Sequence, residues 1–142
     1  MTADASKKSF SQYLPAIARV LFGLMFFIFG LNGFLNFIPQ PKEPMPAGAA
    51  AFAGALMATG YMMKLVAGTQ LLAGLLLLIN RYVPLALALL APVIVNIILF
   101  HIFLAPGSIA PGVVVLLLEV YLAWAYRNAF RPMLAARVNP SA

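Results

Sequence analysis

The chain has 142 residues, of which 64% are hydrophobic and only 8% are charged, and its mean hydropathy is +1.00. A soluble domain carries about 25% charged residues, so this composition excludes a soluble globular protein. No cysteine is present, which excludes disulfides, thiolate metal ligands and dithiol exchange. The nine Lys/Arg outnumber the three Asp/Glu and lie near the ends of apolar runs, which is typical of a membrane protein and not of nucleic-acid binding.

Four long apolar runs predict an all-α fold, an integral membrane bundle of four transmembrane helices in a single domain over residues 1–142. The helices are predicted at residues 14–38, 61–79, 84–104 and 109–126. The polar segment that precedes them, through Ser11, is predicted to be a disordered tail. Pro92 lies inside the third helix, where it is expected to introduce a kink.

The connector between the first two helices is unusually rich in proline. Residues 39–46 contain four prolines, which favours an extended chain. The next run, residues 47–58, is apolar but too short to cross a bilayer, so it is predicted to be an interfacial or re-entrant helix. The basic segment at residues 127–142 is predicted to lie on the membrane surface.

The distribution of basic residues predicts the orientation of the chain. With four spans, one face carries Lys7, Lys8, Arg81, Arg127, Arg131 and Arg137, with Arg19 close by. The opposite face carries only Lys42 and, near it, Lys64. The positive-inside rule therefore places both termini in the cytoplasm of a multi-pass protein.

Two charged residues fall within the predicted spans. Glu119 lies about ten residues into the fourth helix, close to the bilayer centre, where an ionised side chain costs about 2.5–3.5 kcal/mol. It is either a protonated carboxyl that is hydrogen-bonded within the bundle or a group that handles protons or a ligand. Arg19 either extends to the lipid headgroups or forms an ion pair with Glu119.

The uncharged polar residues within the spans give two sets of candidates for ligand contacts. The candidates for binding a ligand or quinone are Glu119, Asn96, His101 and Gln70. A polar cluster toward the outer face is expected from Asn32, Asn36 and Lys64, together with His101. For the amides, the alternative role is hydrogen bonding between helices. A single histidine does not supply a bis-His haem site or the three or four ligands of zinc, so neither haem nor metal is predicted.

Several segments are similar to a known family. They are GLNGFLNFIP (30–39), MATGY (57–61), LLAGLLLLINRYVPLAL (71–87), APVIVNIILFHIFL (91–104) and YLAWAYRNAFRPML (121–134). They resemble the DoxX family of small bacterial membrane proteins. The resemblance covers nearly the whole chain and implies four helices in the bacterial cytoplasmic membrane.

The DoxX resemblance also bears on function. The family takes its name from a small subunit of a quinone-reactive thiosulfate-oxidising or terminal oxidase complex, which implies a possible quinone ligand and redox protein partners. Many members carry an acidic residue in the second helix just before a Leu-Leu-x-Gly stretch. In this chain Gln70 occupies that position, so the carboxylate is missing.

Three functions are compatible with the sequence. The first is an accessory, non-catalytic subunit of a quinone-linked redox assembly. The second is a structural or partner-binding membrane subunit without chemistry, either in a complex or as a homo-oligomer among membrane lipids. The third is a small proton-coupled transporter that uses Glu119, although no internal repeat supports it. A stand-alone enzyme is least favoured, because no nucleophile with an adjacent base and no covalent cofactor motif is present.

Overall fold

The helices form along the long apolar runs of the sequence. The computed structural model describes residues 10–141. Its α-helices are α1 (Leu14–Leu35), α2 (Ala47–Ala58), α3 (Met62–Leu78), α4 (Val83–Phe103), α5 (Ala110–Ala125) and α6 (Arg127–Phe130). Three short 3-10 helices lie at Phe10–Gln12, Pro106–Ser108 and Pro132–Leu134. No strand occurs within these residues, and the predicted all-α class is confirmed.

The predicted helix ends agree with the observed ones to within one residue, except at the end of α1. That helix was predicted to continue to residue 38 but ends at Leu35, and this boundary was wrong. Asn36 adopts a left-handed backbone with φ 50°, a conformation that asparagine tolerates better than most residues. The Ile38 N–H then donates to Asn32 Oδ1 at 2.7 Å, which fixes the turn that leaves the helix.

Two polar segments flank the helices, one at each end of the sequence. Of the tail that was predicted to be disordered through Ser11, residues 1–9 lie outside the described residues, and Phe10–Gln12 form a short helix. At the other end, residues 127–134 continue from α5 at an angle of 76°. α4 continues through Pro92 as a single helix.

The lengths of the helices determine how many could cross a bilayer. α1 and α4 are each long and apolar enough to do so alone. α3 and α5 have 17 and 16 residues, and each belongs to a bent pair, with α2 at 90° to α3 and Arg127–Leu134 at 76° to α5. The described chain therefore has two clear spans, or up to four if each bent pair is one span.

α1 and α3 are antiparallel and pack with almost no side chain between them. Gly23 lies against Leu77 and Gly74 at one level, and Gly30 lies against Ala67 and Leu71 further along. A Cβ on Gly30 would lie 2.8 Å from Ala67 O. Small residues allow this approach, which is a common basis of helix association in membranes.

The remaining long helices complete a bundle around one apolar core. Its largest fully buried side chains are Phe22, Phe26, Leu77, Leu87, Leu90, Ile94 and Leu122, which come from α1, α3, α4 and α5. Large apolar side chains also cover the outside, including Leu24, Leu75 and Leu117, each more than 40% exposed. An apolar exterior of this kind is what a lipid environment requires.

α2 confirms the predicted short helix at residues 47–58 as an element separate from α3. It contacts the C-terminal end of α4. Ala49 is fully buried, the Phe52 and Phe100 ring centroids are 5.8 Å apart, and a Cβ on Gly48 would meet Leu104 at 3.3 Å. α2 therefore covers one end of the bundle.

We expect Gly74→Ala to destabilise the protein by about 1–3 kcal/mol, as overpacking of a tight interface does. The new methyl group would lie 2.8 Å from Gly23 O and from Phe27 Cα, so two helix backbones would have to move apart. The measurement is unfolding in mixed detergent and dodecyl sulfate micelles. Gly68→Ala on the same helix is the control, because its methyl would meet only Phe34 Cζ, at 3.9 Å. Equal stability of the two variants would contradict the close contact.

Candidate functional site

A cavity of about 730 Å³ lies between α1, α3, α4 and α5. Most of its wall is apolar, with contributions from Met25, Phe26, Phe29, Val66, Val114 and Val115. Three polar side chains also line it, Asn32 from α1, Gln70 from α3 and His101 from α4. An apolar cavity with a few polar groups is the usual form of a small-molecule site.

The cavity occupies the end of the bundle that carries α2. It is lined by residues near the end of α1 and α4, such as Gly33 and His101, and near the start of α3 and α5, such as Met63 and Pro111. Phe29 and Val114 line the cavity yet are 52% and 51% exposed. The cavity is therefore open to the surroundings of the bundle on the side where α1 faces α5.

Gln70 is the polar residue on the α3 wall. Its side chain is half-buried and makes no hydrogen bond with another described residue. A primary amide has two N–H donors and one carbonyl acceptor. Gln70 therefore retains its full hydrogen-bonding capacity for a molecule in the cavity.

His101 is held in one orientation by its own helix. Its Nδ1 lies 2.8 Å from Ile97 O, and since a carbonyl only accepts, Nδ1 carries the hydrogen. In the neutral ring Nε2 is then left as an acceptor. Gly112 of α5 faces the ring, where an added Cβ would be 3.8 Å from Nδ1, so this glycine leaves room beside the imidazole.

Asn32 has a structural role as well as its place in the cavity wall. Its Oδ1 accepts from Ile38 N at 2.7 Å, and its backbone oxygen accepts from Asn36 N at 2.8 Å. The side-chain N–H groups of Asn32 make no hydrogen bond within residues 10–141. They remain as donors toward a ligand.

The candidate residues are grouped differently in the structure than was predicted from the sequence. Asn32 of the expected outer cluster joins Gln70 and His101 in one cavity. Asn36 and Lys64 are exposed and do not line it.

The other two candidates also lie outside the cavity wall. Asn96 is exposed on the outer surface of α4. Glu119 is 8% exposed in the bundle interior, and its Oε2 has no hydrogen-bond partner among the described residues.

Arg19 takes neither of the two positions expected from the sequence. It is buried, with 9% of its surface exposed, and its guanidinium donates to Leu77 O. That carbonyl also accepts from Asn80 N at 3.3 Å, and it lies in the last turn of α3, where a positive charge is favourable. Within residues 10–141 no ion pair joins Arg19 to Glu119.

We expect Arg19→Leu to lower the free energy of unfolding by about 1–3 kcal/mol, because it removes a buried, charge-assisted hydrogen bond and leaves Leu77 O with only backbone donors, such as Asn80 N at 3.3 Å. Glu119→Leu should be neutral or stabilising, since it removes a buried unpaired carboxyl. The double variant should then equal the sum of the single variants within about 0.5 kcal/mol. A coupling above about 1 kcal/mol in micelle unfolding would indicate an ion pair instead.

Sequence reasoning missed several parts of the site. Phe29, Val114 and Gly112 define its opening and its free space, but in the sequence they are ordinary members of apolar runs. No local signal distinguishes them, because their role depends on which helix faces meet.

The sequence also identifies the family. The DoxX family's sequence model matches residues 14–102, which is more than half of the chain. The protein belongs to the DoxX family. The match covers α1 to α4 almost completely and includes all three polar residues of the cavity, whereas α5, with Glu119, lies beyond it. Neither a curated protein nor a solved structure matches this DoxX chain.

Proposed function

We propose that this DoxX protein is an accessory subunit of a quinone-linked redox assembly in the bacterial cytoplasmic membrane, and that it binds the quinone in the interhelical cavity. The observation that carries the proposal is the combination of an apolar cavity of about 730 Å³ with three inward polar side chains, Asn32, Gln70 and His101. The ligand must be largely apolar and must carry a few hydrogen-bonding groups.

A four-span arrangement supports this proposal. α3 and α5 are about 24–26 Å long at 1.5 Å per residue, slightly less than a hydrocarbon core of about 30 Å. The adjoining turns extend both. Successive long helices are antiparallel, so the loop that carries Arg81 and the segment from Arg127 share one end of the bundle. Lys42 and Lys64 belong to the other end, and both termini are therefore assigned to the cytoplasm.

The polar groups of the cavity fit a quinone ring. The amide N–H groups of Gln70 and Asn32 would donate to a ring carbonyl, while His101 Nε2 would accept from a hydroxyl of the reduced form. The apolar wall around Phe29 and Val114 suits an isoprenoid tail. A quinone supplies the capacity to carry two electrons and two protons.

The accessory role follows from the chemistry of the cavity wall. Amide and imidazole side chains hold and orient a ring, but they do not themselves exchange electrons. In this proposal the bound quinone is reduced or oxidised by a redox partner protein, and this chain contributes the pocket.

We expect the purified wild-type protein, reconstituted in phospholipid nanodiscs, to bind a short-chain ubiquinone analogue. Gln70→Leu should weaken binding about threefold to tenfold, as the loss of one or two hydrogen bonds does. Thr69→Val is the matched control, because the neighbouring Thr69 hydroxyl donates to Leu65 O at 2.9 Å and does not line the cavity. Binding is measured by quenching of a quinone-sensitive fluorophore or by calorimetry.

The same experiment separates the quinone role from a purely structural one. Absence of analogue binding by the wild-type protein, with no quinone extracted from protein purified in mild detergent, contradicts the quinone site. A structural or partner-binding subunit is then the better description. Equal binding by wild type and Gln70→Leu would exclude the cavity as the site.

A second candidate function rests on Glu119. A carboxyl with only 8% of its residue surface exposed and one oxygen unpartnered is costly unless it has a function such as proton handling. A proton-coupled transporter would use it as the site of protonation.

The transport role predicts that Glu119→Gln, which retains the size but cannot release a proton, abolishes pH-driven flux in liposomes. Quinone binding in the cavity should remain unchanged. The readouts are internal pH and uptake of lipophilic cations. Absence of any flux in wild-type liposomes would remove this candidate.

A further inference from the structure

One side of α4 is a mostly exposed row of apolar side chains that includes an asparagine, Asn96, which is unusual on a surface that faces lipid. The side chains Leu85, Leu89, Pro92, Asn96, Leu99 and Phe103 follow one another at intervals of four, three, four, three and four residues. Leu89 is half-buried, and the others are exposed. We call this row the α4 stripe. Spacing of this kind places all six on one helical face, the pattern by which two helices pack with a crossing angle near 20°.

Asn96 is the one amide in this apolar row. It lies seven residues before the end of α4 at Phe103, or about 10 Å along the helix axis from that end. It is exposed and makes no hydrogen bond with another described residue. In hydrocarbon such an amide finds no water, so an unpaired Asn96 is unfavourable and a partner is needed.

Pro92 lies one turn before Asn96 in the same stripe, inside the continuous helix α4. Proline has no N–H to donate to the carbonyl of the residue four before it. The carbonyl of Ala88 therefore lacks its usual helical donor.

We propose that the α4 stripe is the contact surface for a second copy of this chain. Two copies inserted in the same orientation are related by a two-fold axis along the membrane normal, so each residue meets its counterpart at the same depth. An amide both donates and accepts, and Asn96 of one copy therefore pairs with Asn96 of the other. An asparagine in a 4-3 apolar repeat also fixes the register of two helices.

The dimer leaves the cavity unchanged. Ile97 and His101 face the cavity from a different side of α4, while Asn96 and Leu99 face outward. The proposal therefore stands or fails independently of the quinone role.

The first test uses the absence of native cysteine in the chain. Single cysteines are introduced as Leu99→Cys in the stripe and as Leu65→Cys on α3. Leu65 is a matched control because it is also exposed, 59% against 46%, and is equally near the same end of the bundle. Copper phenanthroline is added to cell membranes, which preserve a uniform orientation. Leu99→Cys should give a disulfide-linked dimer, and Leu65→Cys should give little.

The second test concerns Asn96 itself. In the Leu99→Cys background, Asn96→Leu should weaken dimerisation about threefold to tenfold, the effect of losing the paired interhelical hydrogen bonds. Asn96→Gln should retain most of it. The dissociation constant is measured by energy transfer between labelled copies at varied protein-to-lipid ratios. Because Asn96 is exposed, folding should be intact, and an unchanged micelle unfolding curve verifies this.

Three results would overturn the proposal. They are a Leu99→Cys chain that stays monomeric, equal dimerisation of Asn96→Leu and the parent protein, and crosslinking of Leu99→Cys to a different polypeptide. The last result would assign the stripe to another membrane subunit.

Discussion

The close approach of α1 and α3 is the contact on which the rest of the bundle depends. Gly23, Gly30 and Gly74 bring two helix backbones together with no space for a further methyl group. Because α3 is fixed against α1 and leads into α4 through a four-residue connection, the position of α4 follows. On an adjoining part of the same helix, Phe26 and Phe29 line the cavity. The close contact between α1 and α3 therefore borders the cavity, and Gly33 and Ala67 belong to both.

Within residues 10–141, the two buried ionisable side chains, Arg19 and Glu119, are not paired with each other. Arg19 stabilises the C-terminal end of α3 by donating to Leu77 O, whereas Glu119 is held in the interior with an oxygen left unpartnered. A buried ion pair would hold both groups fixed. Without such a pair, Arg19 caps the last turn of α3, and Glu119 Oε2 has no hydrogen-bond partner among the described residues.

The helices could be predicted from the sequence because the requirement for about 20 apolar residues per span is local. The exception, the last turn of α1, depends on a left-handed Asn36 that the Asn32 side chain helps to fix, and composition does not reveal this. Part of the cavity was also predictable, since Gln70 and His101 are polar residues in apolar runs. Their meeting with Asn32, and the exclusion of Asn96, depend on the rotation of each helix about its axis, which no single run encodes.

The opening between Phe29 and Val114 has a consequence for how tightly the cavity would have to hold the proposed quinone. A molecule that dissolves in the bilayer reaches such an opening by diffusion in two dimensions, at the concentration it has among the lipids. That concentration far exceeds its concentration in water. A site with modest intrinsic affinity can then be filled most of the time and still release its occupant quickly, so occupancy would follow the composition of the membrane and not that of the cytoplasm.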